Sequence, residues 1–220
     1  MPVVERSVAQ TPVAAGGAKF LALGVGLPVP DFYGPSKNPN FAGVYPLGRR
    51  FTVGDEVSHA VLDPISKVRQ AVTSGRVTRV DPEADRVEIN QGQVIVDLMG
   101  NVLKFGPATW DPPQQIAPAE LQIGRRWSSR TRRRDNVGTS DNDSEYQILR
   151  REKVTVPAGE FDAFLIEGRG YVRHARGLSR FEDRLWLVPG VNFLIKREWL
   201  VDGGRSNGEI REMISLKQYL

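Results

Sequence analysis

Twenty-two glycines and fifteen prolines are scattered through the 220 residues, and they separate apolar runs that are mostly too short for a helix. Glycine opens positive φ to the backbone, and proline removes a backbone donor and fixes φ. A chain punctuated this often has room for short strands and tight connections, and little for long helices. The composition, 40% hydrophobic and 25% charged, is that of a folded globular chain. The length suits one large β domain able to bury a core without metal or disulfide support.

From Phe51 the residues alternate in the manner of half-buried strands. Arg76–Val80 leads into the turn-rich Asp81-Pro82-Glu83-Ala84-Asp85, and Arg86–Asn90 returns. Gln91-Gly92 turns the chain again, Val94, Val96 and Leu98 alternate, and Gly100-Asn101 opens the way to Val102–Phe105. These four strands read as a meander. Pro107, Pro112, Pro113 and Pro118, with Trp110 among them, read as a loop.

A second meander follows. Tyr146, Ile148, Val154 and Val156 read as one face of a long strand, and Val156-Pro157-Ala158-Gly159-Glu160-Phe161 as a hairpin with Gly159 at positive φ. Phe161, Ala163 and Leu165 return on one face. Val191, Phe193, Ile195, Trp199 and Val201 read as one strand face, interrupted only by Arg197. Residues 210–220 read as a last strand. Gly54-Asp55-Glu56-Val57 and Gly124-Arg125-Arg126-Trp127 each open a strand-rich stretch, which raises the alternative of an internal duplication against repeated turn grammar.

The expected architecture is therefore mainly β: antiparallel meanders in a twisted sheet, half-barrel or barrel, with two related halves as one form of it and long Pro/Gly-rich loops. Residues 1–49 are expected to be an extended, partly flexible arm and 50–220 a single antiparallel β domain. Within the arm, 1–19 carry no periodicity, while Phe32, Tyr33, Phe41 and Tyr45 are expected to pin an extended segment to the core. The apolar stretch 20–30 is broken by Pro28 and Pro30, too short to span a membrane and unlike a signal peptide.

The motifs of common chemistry are missing. With no cysteine there are no disulfides, thiolate metal sites or cysteine nucleophiles. His59 and His174 have no second ligand at metal spacing, and neither a G-x-S-x-G elbow nor a phosphate-binding glycine loop is present. Neighbouring carboxylates such as Glu182-Asp183 point to opposite faces of a strand and cannot act as one acid–base pair. Glu167 and Glu198 are expected to face solvent or an arginine. No catalytic residue, metal or cofactor is expected.

One segment is strongly biased. Arg125-Arg126-Trp127-Ser128-Ser129-Arg130-Thr131-Arg132-Arg133-Arg134 holds six arginines and no acid, within a chain whose net charge is only +4. In a strand, Arg126, Arg130, Arg132 and Arg134 share one face, and Arg125, Trp127 and Arg133 the other. Arginine with an interleaved aromatic can hold phosphates and stack on bases or sugars. Residues 135–145 instead bring Asp135, Asp141, Asp143 and Glu145 and no base, so a hairpin turning at 136–139 would set acids against arginines. The spacing favours the self-neutralised hairpin, with an anion-binding face as its rival. Arg126, Trp127, Arg130, Arg132, Arg134 and Trp110 are the candidate binding residues.

Lys153-Val154-Thr155-Val156-Pro157-Ala158-Gly159-Glu160-Phe161 resembles the marker turn of the TapB-like proteins, a family of unknown function in the bacterial cell envelope. Trp186-Leu187-Val188-Pro189-Gly190-Val191 and Lys196-Arg197-Glu198 look like the counterparts of the segments that follow that turn. The similarity is close over 145–200 and loose over 50–220. It implies a secreted or periplasmic β-rich domain, from which this sequence departs in having no lipobox cysteine and no signal peptide; an exported form is expected to have lost its signal.

Three functions are open on these grounds. The first is a non-enzymatic envelope domain binding a partner protein, glycan or lipid. The second is an enzyme acting on an envelope polymer with carboxylates that the fold assembles. The third is an anion or nucleic-acid binder using the Arg125–Arg134 run, which a periplasmic address would deprive of nucleic acid.

Overall fold

The computed structural model describes residues 5–7, 44–202 and 208–219. Its strands are β1 (Glu5–Ser7), β2 (Val44–Pro46), β3 (Glu56–Leu62), β4 (Arg69–Asp81), β5 (Arg86–Ile89), β6 (Val94–Val96), β7 (Val102–Phe105) and β8 (Ala108–Gln114). There follow β9 (Glu120–Gln122), β10 (Arg126–Asp135), β11 (Gly138–Val156), β12 (Gly159–His174), β13 (Gly177–Leu187), β14 (Lys196–Val201) and β15 (Gly208–Tyr219). Among the described residues no helix is long and apolar enough to cross a membrane.

Neighbouring strands pair antiparallel in chain order, and β15 returns to pair with β3, which closes a barrel of 12 strands. Closure leaves no strand edge exposed within the ring. β1 extends the pairing of β15, while β2 and β9 form a separate two-stranded sheet. Two stretches make up the ring, β3 to β8 and β10 to β15, each preceded by a glycine at positive φ, Gly54 and Gly124.

Antiparallel order places alternate connections at opposite ends of the barrel. The connections β3–β4, β5–β6, β7–β8, β10–β11, β12–β13 and β14–β15 form the first rim. The second rim is closed by buried polar networks. Asp55 accepts from Thr52 N, Tyr219 N and Asn192 Nδ2, and Asn101 bonds Asp97 and the backbone of Ile116 and Ala117. The Asp55 and Asn101 side chains are satisfied by these bonds, so their desolvation is compensated.

Two apolar clusters stabilise the ring. One joins Val57, Val77, Val87, Ile89 and Val96 of the first half to Val154, Phe161, Ala163, Leu165 and Trp186 of the second. The other joins Leu47, Ile116, Ala117 and Leu121, around β2 and β9, to Tyr146, Ile148, Phe164, Ile166, Leu185 and Leu187. β11 to β13 are thus buried on both faces along part of their length, and each large side chain buried there contributes roughly 1.5–3 kcal/mol.

Four strands of the first meander and the last strand lie where the alternation predicts, and Gly159 takes positive φ. Three local expectations are corrected. A bulge between Ile148 and Arg150 changes the phase of β11, so Tyr146 and Ile148 face one cluster while Val154 and Val156 face the other. Val191, Phe193 and Ile195 are buried in an irregular connection, and β14 begins only at Lys196. The proline stretch contains β8, in which Pro112 and Pro113 lie past the residues that pair with β10, where no ladder donor is needed. Tyr45 does pin its segment, with its ring 5.3 Å from that of Phe164. Phe32, Tyr33, Phe41 and the stretch 20–30 lie outside the described residues.

Candidate functional site

The arginine run is β10, and its hairpin partner is the acidic start of β11. Arg130 stands opposite Asp143, Arg132 opposite Asp141 and Arg134 opposite Thr139. Directly opposed residues share a face of the sheet. The same rows continue into β12 and β13: Asp143 faces Tyr171 and then Arg180, Asp141 faces Arg173, and Glu145 faces Arg169. Four strands thus build one outward face on which cations and carboxylates alternate.

Some of that charge is met locally. Arg130 Nε lies 3.1 Å from Asp143 Oδ2, and Arg132 donates from Nε and Nη2 to Asp141 at 2.7 and 3.3 Å. Hydrogen bonding by Arg132, with the charges of Arg132 and Arg173, holds the Asp141 carboxyl below its usual range. Arg134 and Arg173 are exposed and carry no ion pair among the described residues. The side chains of Arg130 and Asp143 are 82% and 60% exposed, so the pair is screened and contributes at most about 1 kcal/mol.

Between these side chains runs an open groove of about 1050 Å³, lined by six arginines and four carboxylates, with Pro112, Tyr171 and Leu178 as its apolar elements. It shares Glu145 and Arg169 with a smaller groove of about 430 Å³ that reaches Arg126 and Glu167. Arg126, Arg130, Arg132 and Arg134 therefore lie along one continuous surface.

Strand alternation keeps the two tryptophans out of the larger groove, although Trp127 is among the residues lining the smaller one. Trp127 turns to the opposite face, stacks on Tyr146 with ring centroids 5.5 Å apart, and donates Nε1–H to the Gln115 carbonyl. Trp110 lies opposite Arg133 on that face, beneath its guanidinium. Residues missed by sequence reasoning are Arg169, Tyr171, Arg173 and Arg180. Their spacing in Arg169-Gly170-Tyr171-Val172-Arg173 marks one strand face, but only the β11–β12–β13 register joins it to β10.

The neighbouring carboxylates Glu182 and Asp183 do not assemble into an acid–base pair. Glu182 faces out beside Arg180, whereas Asp183 is buried on the other face against Arg197, which donates from Nε and Nη2 at 2.8 Å each. Glu167 and Glu198 pair with Arg184. Among the described residues no cluster of His, Asp and Glu could hold a metal ion.

No protein-family model and no curated protein sequence matches the chain. Solved structures do. One is a Bacteroides fragilis protein described as exported and as having a YmcC-like fold, with a TM-score of 0.55 at 9% identity over 79% of this chain and 100% of that one. The fold is YmcC-like. A Parabacteroides distasonis protein described as a lipoprotein is similar to this YmcC-like barrel at a TM-score of 0.52 and 13% identity, over 78% of this chain and 98% of that one.

Proposed function

We propose that the chain is a non-enzymatic binding domain of the bacterial cell envelope, periplasmic or secreted, that holds an acidic glycan along the outward face of β10 to β13. The envelope address is supported by the resemblance of the 153–161 turn to TapB-like proteins and by fold neighbours described as exported and as a lipoprotein. The observation that carries the ligand is the composition of the groove, six arginines interleaved with four carboxylates around Tyr171.

That mixture selects among anions. A nucleic acid presents closely spaced phosphates, which Asp141, Asp143 and Glu145 would repel while Arg130 and Arg132 remain partly occupied. An acidic glycan presents carboxylates separated by hydroxyl-rich rings. Its carboxylates suit the planar arginine forks, its hydroxyls can donate to the aspartates, and a ring can lie on Tyr171.

The test is an equilibrium titration with polygalacturonate, neutral dextran and a single-stranded oligonucleotide, for the wild type and for Arg130→Gln/Arg132→Gln/Arg173→Gln. Polygalacturonate is expected to bind, dextran not to bind, and the triple variant to lose at least tenfold in affinity. Equal polygalacturonate binding by the variant overturns the assignment of the face. Submicromolar oligonucleotide binding at physiological salt overturns the assignment of the ligand.

A further inference from the structure

The apolar side chains left exposed are not spread evenly over the barrel. Ile65 and Val68, in the β3–β4 turn, are 76% and 62% exposed, and Val137, at the tip of the β10–β11 hairpin, is 90% exposed. Phe105, at the β7–β8 turn, is 47% exposed but lies beneath the Arg211 guanidinium of β15, 5.7 Å from its ring centroid. Ile65, Val68 and Val137 all belong to the first rim. At the second rim only Val53 is comparable among the described residues, and its β4–β5 turn is acidic, with Asp81, Glu83 and Asp85.

The same tips carry cations. Lys67 and Arg69 flank Val68, and Arg176 sits in the β12–β13 turn; all three are exposed, and neither Arg69 nor Arg176 has an ion pair among the described residues. The carboxylates nearby are engaged in shaping the turns. Asp63 accepts from Ile65 N and Ser66 N, and Asp135 accepts from Val137 N and Gly138 N while pairing with Arg133. Those bonds hold the tips so that Ile65 and Val137 point away from the core.

From this arrangement we infer that the first rim docks on an anionic lipid bilayer, with Ile65, Val68 and Val137 entering the interface and Lys67, Arg69 and Arg176 meeting the headgroups. Exposed apolar groups ringed by polar ones mark an interaction site. Here they stand at the tips of two hairpins of the same rim, β3–β4 and β10–β11. Buried apolar area plus unpaired cations is the combination that binds peripheral proteins to anionic membranes. This surface is distinct from the arginine groove and does not depend on the glycan reading.

Co-sedimentation of the full chain with vesicles of phosphatidylcholine, with and without 30% phosphatidylglycerol, tests it. The wild type is expected to sediment with the anionic vesicles at low salt and to be released as salt rises. Ile65→Asp/Val137→Asp is expected to weaken sedimentation at least tenfold, and Lys67→Gln/Arg69→Gln/Arg176→Gln to abolish the preference for anionic vesicles. These positions are exposed, so unchanged melting curves can confirm that the variants fold. Arg130→Gln/Arg132→Gln is expected to sediment as the wild type does. Absence of sedimentation with anionic vesicles at low salt overturns the inference. So does binding that survives the rim changes but is lost with Arg130 and Arg132, which would assign the lipid to the groove.

Discussion

Val77 and Ile148 occupy matching places in the two halves of the barrel. Gly54 N donates to the Val77 carbonyl at 2.9 Å and Val77 N to the Asp55 carbonyl at 2.8 Å; Gly124 N donates to the Ile148 carbonyl at 2.8 Å and Ile148 N to the Arg125 carbonyl at 3.0 Å. A bulge follows each residue, between Val77 and Arg79 and between Ile148 and Arg150. The same turn, ladder and bulge thus recur at the start of each half in sequences with almost no identity.

The glycines of this repeated turn give the first prediction. Gly124 has φ of +89° with open space around its Cα, so Gly124→Ala is expected to cost about 1–2 kcal/mol through backbone strain alone. At Gly54, φ is +101° and an added Cβ would lie 3.3 Å from the Tyr219 ring, so Gly54→Ala is expected to cost more. Urea denaturation of both variants gives the ranking. Two unchanged midpoints would contradict it.

Gly168 stands opposite Tyr146, whose ring lies over it. A Cβ at 168 would fall 2.2 Å from Tyr146 Cε1, and the ring has no free space, being fully buried and stacked on Trp127. Gly168→Ala is expected to destabilise by about 1–3 kcal/mol or more, with a changed near-ultraviolet signal from the displaced Trp127–Tyr146 stack. A wild-type melting temperature and spectrum would refute this.

Asp183 and Arg197 form a bidentate pair whose carboxylate has no solvent exposure. Removing one partner leaves a buried charge alone, so Asp183→Asn is expected to cost about 3–5 kcal/mol. The double change Asp183→Leu/Arg197→Met is expected to recover much of that loss, because neither charge remains. A double variant weaker than Asp183→Asn would show that the pair itself stabilises the barrel.

His59 donates from Nε2–H to the Leu194 carbonyl at 2.8 Å, so the neutral ring carries its proton on Nε2. Burial, assisted by Arg211, holds its pKa below the ordinary value of 6.5, against the opposing bond to Leu194. The unfolded chain therefore takes up a proton first, and the stability from His59 is lost as pH falls from about 6.5 toward the folded value. Asp55, raised by burial, acts in the opposite direction nearer the carboxylate range. Melting temperature is expected to fall between pH 7.5 and 5.5 in the wild type and to change less in His59→Gln. Equal drops in both would contradict this role.

Much of the barrel was legible because period-two alternation and turn dipeptides coincide between Arg76 and Phe105, and because Pro157-Ala158-Gly159 has few conformations open to it. The hairpin that sets Arg130 and Arg132 against Asp143 and Asp141 was legible from charge alone. The bulge at Leu149 was not, since one extra residue changes a strand's phase without any compositional mark. Nor was the irregular path through Val191, Phe193 and Ile195, where a buried connection alternates as a strand would. The groove was only half visible, because Arg169, Tyr171, Arg173 and Arg180 join it through a register that side-chain type does not specify.

Arginine Nε–H resonances report the central claim directly, since each reads one guanidinium. Addition of oligogalacturonate is expected to shift the signals of Arg130, Arg132 and Arg173 together, while the buried Arg197 and the rim residue Arg176 stay in place. Shifts confined to other arginines, or none at millimolar ligand, would contradict the assignment of β10 to β13 as the glycan-binding face.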